Sequence, residues 1–358
     1  MEDRIFKIGT TMILVVFAGI CAAMYFMPNL HQRIAQEWER RAQIERQKEA
    51  EKTMDALELL EYNTEAAKKE EESFSEQLRI AVPENSKESD LKIENEYLKK
   101  SFSLILPGKN EEFIYMNPII GSSNHVKDLH LWTDGEGLHI ELDLDQILEP
   151  KVRISKHFLY VDFLNPHEVY EKIVVIDPGH GGEKPGTVNG TICEKDINLK
   201  IIKKIKSIFD KQKKIGVYFT RLDDSNVGLE ERVRMANSLK ADLFLSIHQN
   251  ALGDGTTSYV NGTQVLYDEK KGKQGATSMQ WAKICSEEVI KELKSKNMGL
   301  VEGHEIYIIR ESRAPVALIE IGFMTNPDEL KKLNSKDYQE KAAKAIYNGI
   351  IRGFKEGF

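Results

Sequence analysis

From about Lys172 to the last residue, short apolar runs alternate with longer stretches of helical periodicity. The runs are KIVVID, IGVYFT, DLFLSIH, TQVLY, EIYII and VALIEIG. Between the first two, Ile197, Ile201, Ile205 and Ile208 fall on one helical face. Leu229, Val233 and Ala236 mark a second helix, Trp281, Ile284, Val289 and Leu293 a third, and Tyr338, Ala342, Ala345, Ile346 and Ile350 the last. Strands buried on both faces read as continuous apolar runs rather than as alternation. Residues 172–358 therefore predict an α/β domain, with a mostly parallel sheet flanked by helices.

The pattern differs upstream. Residues 98–171 hold short alternating or β-branched runs: SFSLILP, EFIYMNPII, DLHLWT, LHIELDL, KVRISK and HFLYVDFL. Turn-forming stretches such as Pro107-Gly108-Lys109-Asn110 separate them, which predicts a small all-β module. No cluster of metal-type ligands is evident in it, so its histidines (His125, His130, His139 and His157) read as structural or solvated. Residues 31–97 read as a polar helical stalk, with a weak and broken heptad, ending in a linker over 82–96.

Ile8 to Met27 is a run of 20 residues without charge, ended by Pro28. That length crosses a bilayer as a helix. A cleaved signal peptide is the competing reading, but the run is long for one and lacks a small-residue cleavage site. Residues 1–30 are therefore expected to be a transmembrane signal anchor. Arg33, Arg40, Arg41 and Arg46 outnumber Arg4 and Lys7, which alone places the C-terminal side in the cytoplasm. The substrate argued below overrules that orientation. The net charge of −7, with no basic stripe, gives no sign of nucleic-acid binding. Of the three cysteines, Cys21 lies in the apolar run, and Cys193 and Cys285 are expected to be free.

The candidate chemistry sits where apolar runs stop. His180 follows IVVI and the turn Asp177-Pro178-Gly179. His248 ends LFLSI. Glu194 opens a helix, where a carboxylate is often present only to complement the helix dipole, and Glu183 and Asp196 are rival candidates. Two histidines and a carboxylate are the ligand types of a catalytic zinc with one open position. Glu320 stands inside the buried-looking run VALIEIGF, where an unpaired carboxylate is costly and suits a general base. Asp177 is a candidate to orient His180 through its second ring nitrogen. Asn250 is a candidate substrate contact or brace. Arg310, after EIYII, is a candidate partner of Glu320 or oxyanion stabiliser.

IDPGHGG, EKDINL at 194–199, Thr220-Arg221, LEERVRMAN at 229–237, ADLFLSIHQNA at 241–251 and IEIGFMTNPDEL at 319–330 follow one another in order. On these motifs the stretch from Lys172 resembles the zinc-dependent N-acetylmuramoyl-L-alanine amidases of the type-3 amidase family. The resemblance implies that His180, Glu194 and His248 hold one zinc ion and that Glu320 is the catalytic carboxylate. It implies peptidoglycan as the substrate, cut between N-acetylmuramic acid and the first L-alanine of the stem peptide. Some members carry a blocking helix after the second histidine; here only residues 251–262 are available, and they leave no room for one. Cys193, beside Glu194, departs from the pattern and is a possible competing ligand.

The expected protein is thus a single-pass bacterial membrane enzyme with its catalytic domain on the wall side. A protein activator would act through the stalk or the β module, which loosely resembles the β-rich targeting domains that precede cell-wall amidases. Two other readings compete: a catalytically silent peptidoglycan-binding scaffold, and a zinc peptidase cutting within the stem peptide.

Overall fold

A computed structural model describes residues 74–253, 257–273 and 276–358. The expected anchor, residues 1–30, and the expected stalk up to residue 73 lie outside the described residues. Among those described, no helix is long and apolar enough to cross a membrane.

The C-terminal domain is built on a six-stranded mixed sheet. Its strands are β1 (Lys172–Pro178), β2 (Ile215–Phe219), β3 (Leu243–Asn250), β4 (Thr263–Tyr267), β5 (Asn297–Glu302) and β6 (Val316–Phe323). They lie in the order β2-β1-β3-β6-β4-β5. All neighbours are parallel except β6 and β4, which run antiparallel. The helices are α1 (Glu194–Phe209), α2 (Leu229–Ser238), α3 (Ser278–Leu293), α4 (Tyr307–Glu311), α5 (Pro327–Leu333) and α6 (Lys336–Lys355).

Alternate residues of the central strands feed two cores. Val174 and Ile176 of β1, Leu245 and Ile247 of β3, and Ile319 and Ile321 of β6 pack with α1, α3 and α6. Ile173, Val175, Phe244, Val316 and Leu318 point the other way, toward α2 and α4. Burial on both faces is why these strands lack polar alternation.

EIYII was expected to be a strand, but Tyr307–Glu311 is the short helix α4. A four- or five-residue apolar run does not distinguish the two. The strand of this region is β5, a half-exposed edge whose large apolar residues, Met298, Leu300 and Val301, are interrupted by Gly299.

The upstream module is a sandwich of two antiparallel four-stranded sheets around its own core. One sheet orders Ile120–Gly121, Leu78–Ala81, Phe158–Leu164 and Glu149–Ser155; the other orders Lys92–Glu96, Ser101–Leu106, Leu138–Leu144 and Val126–Thr133. The module therefore begins before residue 98, within the stretch expected to be stalk and linker. Leu78–Ala81 is fully buried against Phe158–Leu164. Lys92–Glu96 is an edge strand that turns only Ile93 toward the core, so its sequence reads as a polar linker. Within EFIYMNPII, also expected to be a strand, Glu111–Met116 is helical and Ile120–Gly121 alone pairs.

The module and the six-stranded sheet share packing. Ile147 is buried among Ile173, Val175, Tyr218 and Phe244, with Tyr97 and Leu98 against the same core. Beside them, Glu149 accepts hydrogen bonds from Tyr218 Oη at 2.5 Å and from Tyr97 and Tyr170 at 3.3 Å each.

Candidate metal centre

The carboxyl ends of β1 and β3 bring the two histidines together. Their rings meet edge to face, with centroids 4.8 Å apart. Glu194 enters from the first turn of α1 and bridges them. Its Oε2 lies 3.1 Å from His180 Nε2 and its Oε1 lies 2.9 Å from His248 Nδ1. Backbone amides of Thr187 and Gln249 donate to the same two oxygens, each at 3.0 Å. One ligand atom from each of the three residues lies within 4.8 Å of the others.

Two glycines make this convergence sterically possible. A Cβ on Gly179 would run into the imidazole of His248. A Cβ on Gly186 would lie 2.5 Å from Glu194 Oε2 and 2.6 Å from His180 Cδ2, at a φ of +68°. Only glycine accepts that backbone and that proximity without strain.

The electrostatics keep the bridge charged. Burial opposes ionisation of Glu194, but the hydrogen bonds with His180 and His248 outweigh it and hold the carboxyl well below its ordinary range. Burial likewise opposes the His248 cation; the Glu194 hydrogen bond, with the charges of Glu320 and Asp177, reverses the sign and raises its pKa.

Glu320 of β6 stands in register opposite His248 of β3. Burial raises its pKa to about 7 against the pull of His248. Its Oε2 is enclosed and has no hydrogen-bond partner. A carboxylate beside three convergent donors, with one oxygen uncommitted, is placed to exchange protons with a group held at those donors.

Of the other sequence candidates, Asp177 and Arg310 have partners other than those expected. Asp177 does not touch His180. It is buried, and accepts from Arg232 Nη1 and Thr220 Oγ1 at 2.5 Å and from Ser246 Oγ at 2.7 Å. Burial opposes its ionisation, but the charge of Arg232 and the two hydroxyls keep its pKa below the usual value. Asn250 is a brace: its amide nitrogen meets Gln264 Oε1 at 3.3 Å and its oxygen accepts from Ala251 N. Gln264 is the residue paired with Glu320 on the other side. Arg310 is spent on Glu311 and on the carbonyl of Glu305, and is not bonded to Glu320. Cys193 caps α1 without a side-chain hydrogen bond and is not part of the ligand group. Cys193 and Cys285 are both free.

Sequence reading gave no role to the residues that hold the His180 turn. Arg221 and Arg232 are both buried, and their guanidiniums reach the carbonyls of Pro178 and His180. Asn198 adds a bond to Gly179 O and receives one from Gln249. An arginine three residues into a helix reads as solvated surface, so only the motifs Thr220-Arg221 and LEERVRMAN hinted at them. The module, expected to lack any metal-type cluster, groups Asp128, His130 and Asp143. Asp143 is contributed by a neighbouring strand, which hides the grouping from sequence spacing. Asp268, Glu302 and His304 form a third such group.

The profile of the N-acetylmuramoyl-L-alanine amidases matches residues 174–352. The chain belongs to this family. The germination-specific N-acetylmuramoyl-L-alanine amidase of Bacillus subtilis is 33% identical over 199 residues, covering 52% of this chain and 81% of that protein. A second Bacillus subtilis protein, the uncharacterized YqiI, is 39% identical over 181 residues, covering 50% and 83% respectively. Among solved structures, the N-acetylmuramoyl-L-alanine amidase of Clostridium difficile 630 is 36% identical with a TM-score of 0.49, covering 52% of this chain and 98% of that one. Membership makes the chain a hydrolase with peptidoglycan as its substrate. The amidase domain coincides with the α/β domain and carries all four of His180, Glu194, His248 and Glu320.

Proposed function

We propose that this protein is a membrane-anchored, zinc-dependent enzyme that hydrolyses the amide between N-acetylmuramic acid and the L-alanine of the stem peptide. The observation that carries the reading is the convergence of His180, Glu194 and His248 beside Glu320, whose Oε2 is enclosed and unpartnered. Two imidazoles and one carboxylate match the donor set of catalytic zinc and leave a position for water or substrate. The glycines at 179 and 186 support the same reading, because a Cβ at either position would collide with those donors.

His180, Glu194 and His248 would hold the zinc, which when bound would supply a Lewis acid for the scissile carbonyl and for water. The residues would do the rest. Glu320 takes a proton from the attacking water as its oxygen bonds to the carbonyl carbon. As the carbon–nitrogen bond breaks, Glu320 returns that proton to the nitrogen of L-alanine. The products are the lactyl carboxylate on the glycan and a stem peptide with a free amino terminus.

The proposal includes the Ile8–Met27 anchor, with the catalytic domain on the wall side of a bacterial membrane, because the substrate lies there. It also includes a protein activator acting through the stalk or the module. The shared core and the Glu149 cluster give a partner on the module a mechanical route to the catalytic sheet.

The test is wall hydrolysis by the full chain in detergent. Clearing of a peptidoglycan suspension that stops with chelator and resumes with added zinc supports the proposal. Clearing indifferent to chelator contradicts the zinc reading, and tight binding without clearing supports the scaffold. Protease added to wall-stripped cells should digest the catalytic domain; full protection there contradicts the orientation.

A further inference from the structure

The turn that presents His180 has an unusual backbone. His180 adopts φ +65°, the left-handed region, followed by Gly181 at +133° and Gly182 at +55°. The two glycines take such values freely; for a side-chain-bearing residue the conformation is uncommon and costs free energy that its surroundings must offset. The three carbonyls before and at this residue, those of Pro178, Gly179 and His180, converge on one buried locus.

Two guanidiniums occupy that locus. Arg221 Nε donates to Pro178 O at 3.1 Å and to His180 O at 2.8 Å, and its Nη2 donates to Gly179 O at 3.0 Å. Arg232 Nη1 donates to Pro178 O at 2.8 Å, and its Nη2 to His180 O at 2.7 Å. A Cβ on Gly181 would lie 2.3 Å from Ser225 O and 2.9 Å from Arg221 Nε, so only glycine leaves room for both. Successive carbonyls pointing at one place repel each other unless a cation sits among them. Here the protein supplies the cation from its own side chains. Asp177, with Thr220 and Ser246, fixes the angle of Arg232 and offsets one of the two buried charges.

Resting on the metal reading above, we propose that Arg221 and Arg232 are positioning residues for His180: they clamp the carbonyls of its turn in the left-handed conformation, so that the metal site is formed before metal arrives. Neither arginine is bonded to the ligand side chains, so each acts through backbone. Lysine keeps the charge but cannot reproduce a planar fork reaching two or three carbonyls at once.

The test is the zinc affinity of the full chain, by competition with a chromophoric chelator, for the parent, Arg221→Lys and Arg232→Lys, together with the Tm of each metal-free form. Each substitution should weaken zinc binding by roughly 10–100-fold, the scale seen when groups that orient ligands are lost, while saturating zinc still loads the site. A merely structural role lowers the metal-free Tm and leaves the affinity of the folded protein unchanged; that result overturns the inference. Thr220→Val is the milder probe should either lysine variant fail to fold. It removes one hydroxyl from Asp177 and should weaken zinc binding several-fold, and an unchanged affinity again overturns the inference. A parent chain that binds no zinc contradicts the metal reading itself. A parent that binds zinc, with variants that bind it equally, contradicts the clamp alone.

Discussion

His248 and Glu320 occupy the same register position on the adjacent parallel strands β3 and β6, and just beyond it the pairing shifts before Asn250 meets Phe323. One strand thus contributes a metal-type donor and its neighbour an acid–base group, held at a fixed spacing by the ladder itself. Glu194 and His180 complete the arrangement from a helix start and a turn, the two kinds of element that follow strand ends in such sheets.

Glu320→Gln keeps the shape of the side chain and removes its proton chemistry. Hydrolysis should fall by about 10²–10⁴-fold, the usual contribution of a general base. Zinc content, measured on the same preparation, should be unchanged. Activity near that of the parent would remove Glu320 from the mechanism.

The same residue makes a stability prediction for the metal-free protein. The pKa of Glu320 is raised to about 7 in the fold from 4.5. Between those values the folded state holds a proton that the unfolded state has released, so stability falls as pH rises from about 4.5 to about 7. The full penalty is of order 3 kcal/mol. In chelator, Glu320→Gln should match the parent at the acid end and exceed it above neutrality. Parallel denaturation curves across the range would refute the raised pKa.

Gly179→Ala should be far more damaging than its size suggests, because the new methyl group collides with the His248 ring. The ring must turn away from Glu194, so zinc affinity and hydrolysis should both drop by at least about tenfold. Isothermal titration with zinc checks this. Gly253→Ala, where a Cβ meets nothing within 4 Å, is the control and should behave as the parent.

Glu149 of the module accepts from Tyr218 of the catalytic sheet and from Tyr97 and Tyr170 of the module. Burial raises its pKa, opposed by the hydrogen bonds of Tyr218, Tyr97 and Tyr170. Glu149→Ala strands the hydroxyls of buried Tyr218 and half-buried Tyr97 and Tyr170 and should lower stability by about 2–4 kcal/mol. Calorimetry should show the module and catalytic domain unfolding in separate steps. A single unchanged transition would mean that the cluster does not couple them.

Much of the catalytic half was legible in its sequence for one physical reason: parallel strands buried on both faces produce uninterrupted apolar runs, and chemistry gathers where those runs stop. KIVVID and DLFLSIH placed His180 and His248 at strand ends and VALIEIG placed Glu320 inside a buried strand, but the register that sets Glu320 opposite His248 was not legible. Glu194 was legible only through the order of motifs, since a first-turn carboxylate has an ordinary electrostatic explanation. Where burial is partial the signal fails. KIENE and NMGLVE are edge strands with few inward residues, and EIYII runs into the short helix α4, in which only Ile308 and Ile309 are buried. Side-chain partners failed most. Asp177 turns to Arg232, 55 positions away, rather than to His180. Arg310 finds its neighbour Glu311. Nothing in local periodicity encodes such pairings.

The most direct test of the central claim is mass spectrometry of intact peptidoglycan digested by the full, zinc-loaded chain. The account predicts stem peptides with a free amino-terminal alanine, alongside glycan strands stripped of peptide, and neither product from Glu320→Gln. Fragments cut within the stem peptide, with alanine still joined to muramic acid, would contradict it.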